Sequence, residues 1–145
     1  MNERQRLLEA FLARVFVPVR VTRKGFLYHG ELGSELQGRI AKRQLVRKLF
    51  EESRLVCDSK DGIRARDGTL CEECRHPRCR PQLRIQLAQG STTFVMDLAT
   101  TSAQNLLSIE GKAKAAGDHL QDWELRLAVL DQDTWGEVTF ERVKD

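Results

Sequence analysis

The sequence predicts a mainly β chain: a small antiparallel barrel with one or two helices and an inserted loop built around cysteine. Three observations predict it. Short runs of alternating apolar and polar residues recur between Val15 and Val143, which is the two-residue period of a half-buried strand. One internal window, 103–116, has a capping hydroxyl before it and a glycine after it, the signals of a helix. All four cysteines lie between positions 57 and 79, in a stretch without periodicity. Five or six short strands with one interposed helix suit a small barrel.

Taken in order, residues 3–14 place Leu7, Leu8, Phe11 and Leu12 at helical spacing. This predicts an amphipathic helix or arm over 1–14, ahead of a single domain over 15–145. Val15, Val17, Val19 and Val21 then alternate with Phe16, Pro18, Arg20 and Thr22, a strand whose proline marks an edge. Arg23-Lys24-Gly25 is a turn, and 25–30 a second short strand. Leu36, Ile40, Leu45, Val46 and Leu49 suit a helix in part, but Gly38 interrupts it. The reading there is a strand over 36–41, then a helix or turn to Phe50. Residues 53–82 read as loop. Leu83, Ile85 and Leu87 open a strand, and Ala88-Gln89-Gly90-Ser91 turns it into a partner that carries Phe94, Met96 and Leu98 on one face. Thr101 or Ser102 caps the helix, and Gly117 stands past its end. Trp123, Leu125, Leu127 and Val129 mark another strand. Residues 131–133 turn the chain into the last one, 135–143.

A length of 145 residues with 41% hydrophobic and 31% charged side chains suits one soluble globular domain. No apolar run approaches the roughly 20 residues that span a bilayer, and no signal-type apolar segment follows the N-terminus. The expected compartment is the cytoplasm, or the host-cell cytoplasm for a viral protein, where thiols stay reduced. The net charge of +3 is unevenly spread: residues 1–50 hold 11 basic and 4 acidic side chains, residues 85–145 hold 5 and 10. A basic first third is an electrostatic footprint for a polyanion. The alternative is a set of charges that balance across the fold.

The cysteines follow the pattern C-x13-C-x2-C-x4-C. The Cys71-x2-Cys74 pair has zinc-knuckle spacing, and Cys57 and Cys79 complete a four-sulfur shell. The intervening segment is rich in Gly, Asp and Arg, so metal binding would supply the stability that burial does not. One structural Zn²⁺ is the expectation, and an iron–sulfur cluster is the alternative for four thiolates. His76, beside Pro77, reads as a surface residue. A complete shell leaves no open position for catalysis, and no nucleotide-binding, zinc-protease or serine-hydrolase motif is present. The deaminase pattern fails because Leu70, not proline, precedes Cys71. The chain is therefore not expected to be an enzyme.

Arg64, Arg66, Arg75, Arg78, Arg80 and Arg84 are interleaved with the cysteines, and arginine suits phosphate and base-plane contacts. Tyr28 and Trp135 border turns, whereas Phe94 and Trp123 sit on apolar strand faces. The stretch Val56-Cys57-Asp58-Ser59-Lys60-Asp61-Gly62, with Gly68 and Cys71-x2-Cys74-x4-Cys79, resembles the metal loop of phage-type zinc-containing single-stranded-DNA-binding proteins. Leu98-Ala99-Thr100-Thr101-Ser102, Pro18-Val19-Arg20-Val21 and Lys24-Gly25-Phe26 are similar to flanking parts of that group. The resemblance implies an OB-like barrel with a zinc loop at 57–79 that binds single-stranded DNA, or RNA, in replication, recombination or repair. Arg20, Arg23, Lys24, Arg39, Lys42 and Arg43 would then meet phosphates. Arg64, Arg66 and Arg75 would extend the groove, and Phe26 and Tyr28 would stack on bases. The competing reading is a zinc-ribbon module that binds a protein partner in a transcription or replication assembly.

Overall fold

Where the sequence alternates, the chain extends. The structure, a computed structural model, describes residues 2–6, 15–51, 54–59 and 79–144; for 49–51, 54–59 and 79 it describes the backbone alone. Residues 3–6 are helical. The strands are β1 (Val15–Pro18), β2 (Arg20–Thr22), β3 (Gly25–Tyr28), β4 (Glu31–Gly33), β5 (Glu35–Glu51), β6 (Arg54–Ser59), β7 (Cys79–Gln89) and β8 (Thr92–Leu98). Helix α1 (Thr100–Ala115) and a 3-10 turn (Leu120–Asp122) follow, then β9 (Leu125–Asp131) and β10 (Gly136–Arg142).

Seven strands form one mixed sheet, ordered β1-β8-β7-β5-β9-β10, with β6 on β5; β2, β3 and β4 form a small second sheet. The antiparallel barrel expected from the sequence is not closed among the described residues. The path is open, and β1 runs parallel to β8. At the β10 edge the helix replaces a strand. Ser102 Oγ accepts the Val138 N–H at 2.9 Å, and Asn105 Nδ2 donates to the Val138 carbonyl at 3.0 Å. Both main-chain groups of a fully buried residue are thereby paired, as buried backbone requires.

The long strand β5 corrects the helix or turn expected before Phe50. It pairs with β9 through Glu35–Gly38 and with β7 from Arg39 to Leu49. A register shift between Ile40 and Lys42 reverses its phase: Leu36 and Ile40 face the core before it, whereas after it Arg43 and Leu45 share the face of Ile85 and Leu83 but stand exposed, and Val46 is buried on the opposite face. That shift breaks the alternation that marks a strand in sequence. Gly38 is required here, since a β-carbon would lie 2.4 Å from the Ala88 carbonyl oxygen. The strands also reach into the expected cysteine loop, at 54–59 and from 79 onward; residues 60–78 lie outside the described residues.

The core gathers the alternating positions. Val17, Phe26, Ile85, Leu87, Met96, Leu98, Leu106, Leu125, Leu127 and Val138 are buried together. Helix α1 ends as its sequence predicts: Gly117 is left-handed (φ +79°), Gly117 N–H donates to Lys114 O and Asp118 N–H to Ala113 O, a Schellman closure. Its start differs. The cap position is Ala99, which has no side-chain acceptor, and Ser102 lies inside the first turn, where its hydroxyl serves β10.

Candidate nucleic-acid interface

Register defines a second face of the main sheet. Ile85, Leu87, Met96 and Phe94 point to the core, so their neighbours in sequence point away from it. Cross-strand partners share a face, which gives successive rows on the outer side. Phe16, Thr93, Ala88 and Arg39 form one row; Pro18, Val95, Gln86 and Lys42 the next; Asp97, Arg84 and Gln44 the third. Gln82 with Val46, which is buried, then Arg80 with Lys48, continue the same side of the sheet. The face is rich in cationic and amide side chains. Asp97 is its acidic member, and both Arg84 and Lys48 close on it. Arg84 Nε lies 2.8 Å from Asp97 Oδ1 and Arg84 Nη2 3.2 Å from Oδ2, with Lys48 Nζ on the same carboxylate. Burial pushes the Asp97 carboxyl up, but the two donors outweigh it and hold it below the ordinary carboxylate range.

The expected contacts divide by what they touch. Arg20 and Lys42 make no ion pair among the described residues. Arg23 and Lys24 meet Asp131 at 3.5 and 3.1 Å, and Arg23 Nη1 donates to the Asp133 carbonyl at 2.5 Å. The Asp133 N–H, then Lys24, hold the Asp131 carboxyl low. This pair of turns clamps the β2–β3 corner to the β9–β10 hairpin. Arg39 Nε lies 3.2 Å from Glu124, and Arg43 Nη1 2.7 Å from Glu110 of α1. Arg43 faces the helix side, so it ties β5 to α1. These four cations are engaged within the fold. Arg64, Arg66 and Arg75 lie outside the described residues.

The aromatic expectations change more. Phe26 is fully buried in the core, so its ring is closed to a base. Tyr28 is half-buried and packs edge-on against Phe94, centroids 5.3 Å apart. Among the described residues the phenylalanine and tryptophan side chains that stand exposed are Phe16 (49%) and Trp135 (39%). Phe16 shares its row with Arg39 and precedes the row of Lys42. The signal was present in the sequence: Phe16 occupies the polar phase of the Val15–Val21 alternation, together with Arg20.

Beside this face a cleft of about 420 Å³ opens where β2, the end of β8 and the β9–β10 hairpin meet, with Arg20, Gln82, Asp97 and Trp135 on its walls. Gly136 lets the walls approach, since a β-carbon there would lie 2.3 Å from the Thr22 carbonyl oxygen.

Cys57 and Cys79 both stand opposite Leu49, one on each side of β5. Two strand spacings, about 10 Å, separate their backbones. Cys71 and Cys74 lie outside the described residues. Among the described residues no cluster of three or more His, Cys, Asp or Glu is suited to a metal, and no helix is long and apolar enough to cross a membrane. Comparison with protein families, with curated proteins and with solved structures finds no match.

Proposed function

We propose that the chain binds single-stranded nucleic acid, DNA before RNA, on the outer face of β5, β7 and β8. The observation that carries this reading is the row order of that face, where exposed Phe16 leads into Lys42 and on to Arg80, with Arg84 and Lys48 held on Asp97 between and beside them. A cationic sheet with an exposed ring is the means by which a strand is held through phosphate and stacking together. Connectivity supports the same reading. A three-strand meander (β5, β7, β8), a helix, a fourth strand back on the first and a hairpin to the fifth is the order of an OB-like barrel, a partly open fold that often serves single strands. Replication, recombination or repair is the setting such binding would serve.

We further propose that Cys57, Cys71, Cys74 and Cys79 hold one Zn²⁺ in a structural role. The pattern C-x13-C-x2-C-x4-C supports this; Cys57 and Cys79, both opposite Leu49, would have to draw closer than their two strand spacings to share the ion. A four-thiolate site would tie β6 and β7 together across β5, and would supply no catalytic position. Metal analysis of the purified chain should give one zinc per chain, reduced by Cys71→Ser; an iron–sulfur absorption band would replace zinc with a cluster.

The binding test is a titration of a fluorescein-labelled thymidine oligonucleotide, against a duplex of equal length, at low and moderate salt. Tighter, salt-sensitive binding of the single strand is expected. Equal or absent binding would overturn the reading. A protein-binding module is the second reading. It is favoured by an apolar groove beneath α1, where Leu45 and Leu107 stand about half exposed beside Leu83 and Ala103.

A further inference from the structure

We infer that the cleft at Trp135 is a nucleobase subsite, a place where one unpaired base leaves the sheet face and stacks on the indole. This rests on the single-strand reading above and deepens it. The cleft shares Gln82 and Asp97 with the outer face, so a chain following the rows from Phe16 arrives at it. From the Thr93 row to the end of β8 is five residues, about 17 Å of strand, short enough for a few nucleotides to span. Its volume of about 420 Å³ lies within the roughly 300–1,000 Å³ of clefts that hold small ligands.

The walls match the parts of a nucleotide. Trp135 is exposed to 39% and offers the ring on which a base of any sequence can stack. Arg20 makes no ion pair among the described residues and supplies a guanidinium for the adjoining phosphate or for the base plane. Among the described residues Gln82 Oε1 is buried without a hydrogen-bond partner. Such an orphan acceptor is costly, and an N–H on a base edge is the kind of donor it lacks. Asp97 would repel a phosphate, but Arg84 and Lys48 already hold its carboxylate. Trp135 is also held in place. Its hairpin is pinned by the Arg23 and Lys24 clamp and by the close approach of Gly136 to Thr22. A pre-ordered platform loses little freedom when a base arrives.

The chain has two tryptophans. Trp123 is buried, with its Nε1–H donating to Asp118 at 3.0 Å, so a base-induced emission change belongs to Trp135. The test uses the full chain with a short thymidine oligonucleotide and an abasic strand of equal length, reading tryptophan emission alongside the anisotropy of labelled versions. Thymidine strands should quench the emission and abasic strands should bind without quenching. Trp135→Phe should remove the quench and keep affinity within about threefold, because a ring remains. Trp135→Ala should weaken binding about fivefold or more, the range for one stacked base. If anisotropy shows thymidine binding without quench, and Trp135→Ala binds as the parent does, the subsite is overturned and the single-strand reading stands. If anisotropy shows no binding, both fall.

Discussion

Asp97 is the residue on which the outer face turns. Its carboxylate holds Arg84 and Lys48 together, fixing two cations where a phosphate would want them while competing for them. Two outcomes follow. Its folded pKa is depressed, so its contribution to stability is complete above about pH 5 and is lost as pH falls through the lowered value. Acid titration of the denaturant midpoint should show this loss, and Asp97→Asn should flatten it. The same substitution removes a negative charge from the face and should tighten oligonucleotide binding by roughly fivefold, the equivalent of about 1 kcal/mol. Weaker binding by Asp97→Asn would mean that holding the cations matters more than competing for them. At this scale the sequence was legible wherever burial follows phase. Phe94, Met96, Leu98, Leu125 and Leu127 are all interior. It misled where a short motif stood in for a surface, as at Phe26, because neighbours in sequence do not say which side of a two-layer fold a strand presents.

Helix α1 acts as a strand substitute. Its Ser102 hydroxyl and Asn105 amide meet the two main-chain groups of Val138, which keeps β10 from presenting a bare edge. Ser102→Ala would leave a fully buried N–H without an acceptor, at a cost of about 1–3 kcal/mol. Urea unfolding should show a lower midpoint with an unchanged slope. The helix's extent and its Gly117 ending were readable from spacing and turn chemistry. Its true cap was not, because Ser102 in the first turn looks the same in sequence whether it serves its own helix or a distant strand. Strand β5 was half legible for a related reason: the shift after Ile40 moves Arg43 and Leu45 onto the face of Ile85 and Leu83, and a period interrupted in the middle reads as two elements.

Across the whole molecule, the excess of basic residues in the first third is largely answered by acids of the last third. Arg23 and Lys24 pair with Asp131, Arg39 with Glu124, Arg43 with Glu110 and Lys48 with Asp97. The alternative of charges that balance across the fold describes much of what is seen. The exposed pairs, those of Arg23, Lys24 and Arg39, add little stability each, but all of these pairs remove cations from the pool available to a ligand. A modest salt response follows. With about three phosphates met by Arg20, Lys42 and Arg80, the logarithm of the binding constant should fall with the logarithm of salt at a slope near −2, at about 0.7 per contact on a single strand. A slope of −5 or steeper would require the paired arginines to be recruited as well.

Strand β1 reaches the sheet from far upstream, with Val15 set beside Thr92 and Val17 beside Phe94. It is a short edge strand, paired among the described residues with β8 over four positions, the kind of element that opens readily in the native state. Phe16 rides on it. Anything that stacks on that ring must therefore hold down the first strand to peel away, and its affinity is drawn partly from closing that strand. Amide hydrogens of β1, and that of Val19 just after it, which donates to Val95 O, should exchange faster than those of β7 in the unbound chain and slow markedly when an oligonucleotide is added. Occupancy of the face and the seam between the two ends of the fold would then report on each other.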